Sequence, residues 1–404
     1  MDEDTPVGQR IAYWRRRRGL TQQVLAGRAG CSTSWVSKLE RGERTVEKIS
    51  DLLALARVLK VEPGDLIGGL ELPPNGGGPL DPPQGIPAVR RAVLVERAPD
   101  REPPDAAELR AAADQADRLV GSGSYRALAF HLPHLFASAR SAVAQEVPGA
   151  WSCLARTYRV ASILARDVGE RELACVAADR GIAAARRSGD AVLVASSVRS
   201  LGHALMAQGW LDDAGAVCSD AADELAPTDD APLEAWALWG SLRLNEGIIA
   251  VRGADVADAW RALREARAAA ERVGEGRNDY WEAFGPANVS AHEIAVALEA
   301  GDAVEALRRA DGLDVEALPV AARRARVLID VAQAHELRRD DGSAVAVLLE
   351  AECHAPEVVR YNVLARELVR VCLGRERRSR TPGLRGLAER IGVAVDAPGV
   401  PHRP

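Results

Sequence analysis

The sequence is poor in aromatic residues and in lysine, and it lacks long apolar runs. Aromatic residues make up 4% of the 404 positions, and only three of the 52 basic residues are lysines. No apolar stretch approaches the ~18 residues that a membrane span needs. We therefore expect no membrane contact, and the start of the sequence lacks the basic and apolar regions of a secretory signal.

Cysteine and metal-site patterns are equally scarce. The six cysteines stand far apart, without a Cys-x-x-Cys pair or the Cys/His spacing of a zinc site. The length of 404 residues excludes a small disulfide-stapled scaffold, and the spacing predicts buried thiols. We expect neither a bound metal nor a cofactor.

Strand patterns and catalytic motifs are also missing. Beyond residue 105, Ala, Leu, Arg and Glu predominate, and apolar residues recur at the three- and four-residue steps of helices. No Walker loop, nucleophile elbow or dinucleotide fingerprint occurs. The sequence therefore predicts an all-α protein that is not an enzyme.

The charge is divided unevenly along the chain. The net charge is −6, yet Gly8 to Lys60 contains twelve Lys and Arg residues against four acids. A basic module on an acidic chain favours a polyanionic partner for that module alone.

Proline and glycine divide the chain into domains. Nine prolines and a run of three glycines fall between Glu71 and Pro104, where helices are not expected to persist. We predict a linker over 71–104 that contains one short helix at Val89–Val95. The linker separates a domain at 1–70 from a helical domain at 105–395, and 396–404 are expected to form a flexible tail.

Cap residues and apolar stripes predict five helices in the first domain. Thr21 precedes a second helix at Gln22–Arg28, and Ser32 caps a third. An apolar stripe over Ile49–Leu59 predicts a fourth helix, and a short fifth helix is expected at Pro63–Ile67. The second and third helices, joined by a short turn, form a helix-turn-helix arrangement.

This arrangement resembles the lambda-repressor-like (Xre) family of DNA-binding domains. The resemblance rests on these segments, in this order: Leu20-Thr21-Gln22, Leu25-Ala26, Ala29-Gly30 and Val36-Ser37-Lys38-Leu39-Glu40-Arg41-Gly42. Such a domain followed by helical repeats is similar to a group of bacterial regulators common in actinobacteria. The resemblance implies a cytoplasmic, nucleoid-associated homodimer that binds an inverted repeat in double-stranded DNA.

The third helix is the expected reading element, because in this family its first turn enters the major groove. The resemblance implies DNA contacts at Gln22, Ser32, Thr33, Ser34, Ser37, Lys38, Arg41 and Arg44. We expect Lys38 to read a guanine edge, a contact that discriminates by ~1–3 kcal/mol, and Gln22 to anchor a phosphate. Short polar residues of this kind also fit a solvated helix face. Glu40 is expected to pair with an arginine of its own domain.

The second domain repeats a helical-hairpin pattern. Leu201–Pro227 resembles a tetratricopeptide repeat in its small and apolar positions. Turns between helices are predicted at Gly123, Gly169, Gly209, Gly253, Gly301 and Asp341. Their separations of 40–48 residues exceed the ~34 of a strict repeat. We expect a superhelical array with a concave groove, closed by a helix at Leu384–Ile391.

Arginines recur at one position of this array. Ten residues before three successive predicted turns lie Arg159, Arg199 and Arg243. With His203 and Asn288 they form a candidate effector site for a carboxylate, a phosphate or the acidic end of a peptide. In a chain so rich in arginine, a chance alignment fits as well.

Two functions fit these features. The first is a sequence-specific DNA-binding transcriptional regulator whose helical domain senses a small molecule or a peptide, forms a dimer, or does both. The alternative is a scaffold whose repeats dock a protein partner, localised on DNA without an effector response. An effector-dependent change in DNA affinity separates the two.

Overall fold

The computed structural model describes residues 7–18, 20–29, 31–42, 44, 46, 49–59, 61, 66, 82–98, 102–376 and 381–394. The chain divides into two compact units, Met1–Leu80 and Asp81–Pro404. All regular secondary structure of the described residues is helical, which confirms the all-α prediction. None of these helices combines the length and the apolar character needed to cross a bilayer.

Four helices form the described part of the first unit. They are α1 (Val7–Arg17), α2 (Gln22–Ala29), α3 (Thr33–Glu40) and α4 (Ile49–Leu59). Their apolar faces meet in a core of Ile11, Leu25, Ala26, Val36, Leu39, Leu55, Ala56, Leu59 and Leu66. Of the predicted fifth helix, Pro63–Ile67, only Leu66 lies within the described residues.

Side-chain caps begin α2 and α3 as predicted. The Thr21 hydroxyl oxygen accepts a hydrogen bond from the Val24 N–H at 3.2 Å. The Ser32 hydroxyl oxygen accepts one from the Trp35 N–H, also at 3.2 Å. Each cap satisfies a backbone donor that the first helical turn would otherwise leave unpaired.

Helices α1 and α3 approach each other closely at a glycine. A Cβ on Gly8 would lie only 1.9 Å from the Leu39 carbonyl oxygen. No side chain fits between the two backbones there, so Gly8 fixes how α1 supports α3.

The described part of the second unit contains sixteen α-helices. They are α5 (Ile86–Leu94), α6 (Ala106–Gly121), α7 (Tyr125–Ala144), α8 (Ala150–Asp167), α9 (Arg171–Ser188), α10 (Ala191–Gln208), α11 (Leu211–Leu225), α12 (Leu233–Arg252), α13 (Val256–Val273), α14 (Pro286–Glu299), α15 (Ala303–Ala310), α16 (Ala321–Leu337), α17 (Asp341–His354), α18 (Pro356–Tyr361), α19 (Val363–Gly374) and α20 (Leu384–Arg390). Helices adjacent in the chain pack as hairpins. The helix predicted at Leu384–Ile391 is confirmed as α20.

The segment predicted as a linker contains an ordered helix. Helix α5, Ile86–Leu94, packs against α7, α8 and α9. Its buried side chains are Ile86, Val89 and Val93. Pro87 stands in the first turn, where a missing N–H sacrifices no helical hydrogen bond. The short helix predicted within this segment at Val89–Val95 is therefore present, and it begins three residues earlier, at Ile86.

Arginines of the array hold the C-terminal end of α5. The Arg140 guanidinium donates to the carbonyl oxygens of Val95 at 2.9 Å and Ala92 at 2.6 Å. Arg180 donates to the carbonyl oxygen of Val93. These cations satisfy carbonyl groups that the end of a helix leaves free, so α5 is fixed to α7 and α9.

Left-handed residues mark the turns between hairpin helices. Positive φ angles occur at Gly123, Gly169, Gly209, Ala254, Gly301 and Arg339. The turns predicted at Gly253 and Asp341 are therefore displaced, by one and two residues. Glycine is favoured at the left-handed position, but alanine and arginine occupy it at these two turns.

The array closes on itself. Arg326 of α16 pairs with Asp167 at the end of α8, and its Nη2 lies 3.2 Å from the Tyr125 hydroxyl oxygen at the start of α7. The Arg126 N–H donates to Oε2 of Glu357 in α18 at 2.8 Å. Because the first hairpin touches α18, the concave side of the array forms a cavity.

Candidate DNA interface and effector cavity

One face of α3 is polar and exposed. Thr33, Ser34 and Lys38 are exposed, whereas Val36 and Leu39 are buried in the core. Since residues three and four apart share a helix face, the burial of one face directs the polar side chains to the opposite one. The residues predicted to contact DNA thus include an exposed polar face of α3, the helix that is expected to enter the major groove.

Arg41 extends this face beyond the helix. Its Nη1 donates to the Ser37 hydroxyl oxygen at 2.5 Å, and Arg44 farther along is also exposed. The Ser32 hydroxyl, in contrast, is engaged in the α3 cap. The structure thus brings Thr33, Ser34, Ser37, Lys38 and Arg41 together, with Ser32 at the edge.

Gln22 is held against α3. Its Nε2 donates to Oε2 of Glu40 at 2.8 Å. Arg15 forms a bidentate pair with the same carboxylate, at 2.6 and 2.9 Å, as expected for Glu40. Burial would raise the pKa of Glu40, but the hydrogen bonds from Arg15 and Gln22 outweigh it and hold that pKa below its ordinary value. The Gln22 side chain therefore fixes α2 against α3.

The second unit encloses a cavity of about 410 Å³, a size typical of small-molecule sites. Helices α6, α8, α10, α12, α14 and α16 form its wall. Its charged lining consists of Asp117, Arg159, Arg166, Asp167, Arg199, Arg252, Glu282, Arg323, Arg326 and Asp330. Six arginines thus stand against four carboxylic acids.

Arg159, Arg199, His203 and Asn288, four of the five predicted effector residues, line this cavity. Arg243 lies elsewhere and pairs with Glu246 at 2.7 Å. The displaced turn explains the error. Counted from the left-handed Ala254, the position equivalent to Arg199 is the fully buried Leu244.

Glu282 binds one cavity arginine directly and lies near a second. Its Oε2 accepts a hydrogen bond from Arg199 at 2.5 Å, and its Oε1 accepts one from the Ser196 hydroxyl at 2.7 Å. Arg159, paired with Asp117, lies 3.9 Å from Oε1 of Glu282. Burial opposes ionisation of Glu282, but the arginines outweigh it and lower its pKa. This part of the wall is therefore fully ionic.

Arg323 lacks such a carboxylate among the described residues. Its guanidinium donates to Oδ1 of Asn288 and to the backbone carbonyl of Glu282, both at 2.8 Å. Burial and the nearby Arg199 lower the pKa of Arg323 to about 9. The buried Nδ2 of Asn288 and Nε of Arg199 have no hydrogen-bond partner in the described part of the chain. This end of the cavity holds cationic groups and unpaired donors.

Both cavity histidines are uncharged near neutral pH. Burial and Arg199 lower the pKa of His203 well below its ordinary value, and burial with Arg323 lowers that of His292 to about 3. A ring nitrogen of His292 lies 2.8 Å from the Asn288 carbonyl oxygen. A neutral imidazole both donates and accepts hydrogen bonds, so the two rings add polar groups without charge.

Asp330 lies farther along the same wall. It follows Arg323 on α16 by seven residues, which is two turns or ~10 Å of helix. Burial and Glu299 raise the pKa of Asp330 to about 7. Arg252 nearby is paired with Glu299 at 2.9 Å, and Asp330 itself forms no hydrogen bond or ion pair with a described residue.

Sequence reasoning misses most of the charged lining. The overlooked residues are Asp117, Arg166, Asp167, Arg252, Glu282, Arg323, Arg326 and Asp330. Arg166 could have been predicted from the sequence, because it lies three residues before the predicted turn at Gly169. Glu282 follows the short 3-10 helix Asp279–Trp281, an irregular segment for which helical periodicity makes no prediction.

Comparison with known proteins identifies the first unit. Residues 7–67 match the family described as helix-turn-helix domain. The chain is 38% identical over 76 residues to y4dJ, an uncharacterized HTH-type transcriptional regulator of Sinorhizobium fredii, covering 97% of that protein and 19% of this chain. It is 42% identical over 57 residues to RghRB, an uncharacterized HTH-type regulator of Bacillus subtilis, covering 41% of that protein and 14% of this chain.

The fold and these relatives define a helix-turn-helix DNA-binding protein. The chain belongs to the HTH-type transcriptional regulators, which confirms the resemblance seen in its motifs. The crystal structure of Bacillus thuringiensis PlcR in complex with the peptide PapR7 and DNA is similar with a TM-score of 0.34 and 13% identity, over 82% of this chain and 97% of that one.

Proposed function

We propose that the protein is an effector-responsive regulator whose second unit senses a small anionic molecule in its cavity. The unpaired charge of Arg323 carries the proposal. Six arginines and four carboxylic acids line the cavity; Arg252 is paired with Glu299 outside the lining, whereas Arg323 binds only neutral oxygen atoms. Because buried charges are stable only when paired, this lining favours an anion as the missing partner.

The DNA contacts of this proposal lie on α3. Lys38 and Ser34 would read base edges in the major groove, while Arg41 and Arg44 would contact phosphates. One such domain covers a half-site only, so a homodimer on an inverted repeat, with half-sites ~34 Å apart, supplies the surface for tight binding.

The closure of the helical array favours a small molecule over a docked protein. A scaffold of helical repeats binds its partners along an open concave groove. Here the first hairpin is bonded to α18 through Arg126 and Glu357, and the volume of the cavity is about 410 Å³. The alternative function as a partner-docking scaffold therefore has less support.

A cavity-filling substitution tests the coupling without knowledge of the ligand. Duplexes selected from a random library by the full-length protein provide the operator. Ala291 lines the cavity, and we expect Ala291→Trp to change the affinity for that operator at least fivefold by imitating an occupied cavity. Ala257→Trp, at an exposed position of α13, is the matched control and should stay within twofold.

The sign of the change in affinity identifies the DNA-binding state. A loss would mean that the empty protein binds the operator, and a gain that the occupied one does. Unchanged affinity in a variant that melts like the wild type would refute the coupling. Ala295→Leu, a milder filling of the same cavity, serves if the tryptophan variant does not fold.

A further inference from the structure

One helix of the cavity wall carries a basic and an acidic side chain. Arg323 and Asp330 both line it from α16. Seven residues rotate an α-helix by almost two full turns, so the two side chains leave the same face about 10 Å apart along the axis. The cavity therefore has a basic and an acidic end in a fixed direction.

The basic end offers donors that nothing in the described chain accepts. Arg323 binds only an amide oxygen and a backbone carbonyl oxygen. Nδ2 of Asn288 and Nε of Arg199 are buried without an acceptor, and Asn288 is only 2% exposed. A carboxylate has two oxygens with room for several such donors, and it would also supply the missing negative charge.

The acidic end offers an acceptor without a donor. The charged groups that face Asp330 are Glu299, Arg252 and Arg326. Arg252 is paired with Glu299 and Arg326 with Asp167, so neither arginine forms an ion pair with Asp330. An ammonium group of a ligand would supply three donors and a positive charge.

Apolar side chains line the wall in addition to these two ends. They are Ile163, Met206, Ile248, Ala295 and Val327. A ligand that reaches both ends therefore has an apolar surface to bury along its length. The helix rise of ~10 Å between the two positions matches a ligand whose charged ends are separated by a short chain of several carbon atoms.

We infer that the effector is a short amphoteric chain, with a carboxylate bound by Arg323, Arg199 and Asn288 and an amino group bound by Asp330. The inference rests on the proposed function, since it names the chemical class of the molecule that the cavity senses. It assigns a cation-binding role to Asp330, which an arginine-rich anion site alone does not need.

Calorimetric titration of the full-length protein with three probes of equal chain length tests the inference. The probes are 6-aminohexanoate, hexanoate and hexylamine. We expect 6-aminohexanoate to bind at least tenfold more tightly than either singly charged probe. Amino acids with chains of four to eight carbons then locate the optimal spacing.

Substitutions separate the two ends. Asp330→Asn should reduce 6-aminohexanoate binding to the level of hexanoate, while hexanoate binding stays unchanged. Arg323→Gln should weaken both probes. Asp311→Asn, at an exposed position after α15, is the matched control and should leave all three affinities unchanged.

The possible failures are distinguishable. If hexanoate binds as tightly as 6-aminohexanoate, the amphoteric ligand is refuted and anion sensing stands. If none of the three probes binds while Ala291→Trp still alters operator affinity, the ligand class is wrong but the coupling is real. If Ala291→Trp has no effect, the proposed function fails irrespective of the probes. The comparison of probes uses wild-type protein, so a variant that does not fold leaves the test intact.

Discussion

The two units place their cations in opposite environments. In the first unit Lys38, Arg41 and Arg44 are exposed on or beyond α3. In the second unit Arg159 and Arg199 are only 3% and 7% exposed and are held by buried acids. Exposed cations can follow a polymeric anion and release its counterions, whereas enclosed cations admit only what fits their cavity. The exposure of the arginines thus indicates the size of the partner as well as its charge.

The largest effect on stability is expected at the ion pair between Arg326 and Asp167, which holds α16 against α8 in the second unit. Asp167→Asn removes the carboxylate that binds Arg326 and accepts a hydrogen bond from the Tyr125 hydroxyl at 2.7 Å. We expect a loss of ~2–3 kcal/mol in the free energy of unfolding, below the usual cost of breaking a buried pair because Arg326 is 38% exposed. Urea denaturation of the full chain measures it. Asp220→Asn, at an exposed position of α11, should change stability by less than ~0.5 kcal/mol.

Acid should weaken the same closure. Burial opposes ionisation of Asp167, but Arg166 and Arg326 outweigh it and hold its pKa below the ordinary value. Its stabilising contribution is therefore complete above the unfolded pKa of ~4 and is lost as the pH falls through the folded pKa. An equal effect of Asp167→Asn at pH 7 and at pH 2 would contradict this.

Operator binding tests the role of the exposed cations of the first unit. Lys38→Ala should weaken binding to the selected operator by ~1–3 kcal/mol, about fivefold to 150-fold, because a base contact is lost. Arg118→Ala removes an exposed charge from α6 in the second unit and should change affinity less than twofold. Equal losses in the two variants would mean that Lys38 contributes charge only, without reading a base.

The position of α3, and of the exposed cations on it, depends on how closely the backbones of α1 and α3 pack. Gly8→Ala forces a methyl group against the Leu39 carbonyl, and we expect ~1–3 kcal/mol of destabilisation. Gly27 in α2 has no atom within 4 Å of an added Cβ, so Gly27→Ala should stabilise the helix by up to ~1 kcal/mol. Thermal melting of the two full-length variants compares them, and changes of the same sign would overturn this account of α1 against α3.

The smallest effect concerns Asp330. Its pKa is raised to about 7, so between pH ~4 and ~7 the folded state holds a proton that the unfolded chain has lost. Stability from this group therefore falls as the pH rises through that window. The Asp330→Asn variant has no such pH-dependent loss of stability. At pH 7 its free energy of unfolding should exceed that of the wild type by on the order of 1 kcal/mol, since solvent screens a half-buried group. A pH-independent difference in unfolding free energy would refute the prediction.

Local chemistry was predictable from the sequence, and long-range closure was not. The caps at Thr21 and Ser32 follow from short-range hydrogen bonding and were predicted at the correct residues. Arg326 and Asp167, in contrast, are 159 residues apart in the chain. No periodic pattern in the sequence relates two residues that meet only through the closure of the helical array.

The candidate cavity was predicted in part for the same reason. Arg159 and Arg199 were found because true glycine turns follow them. Arg243 was misplaced because Ala254, not the preceding glycine, adopts the left-handed conformation. Asp330 has no sequence signal of its own, since its role depends on which neighbours already have partners.

The contact between Arg326 and Asp167 also fixes how many hairpins the second unit can have. An open stack of repeats gains or loses a unit as a change of length, and each remaining unit keeps its neighbours. In this ring, duplicating or deleting one hairpin between α8 and α16 would move Arg326 away from Asp167 and break their ion pair. Related sequences should therefore differ by substitutions in the cavity wall, while the number of hairpins in the second unit stays constant.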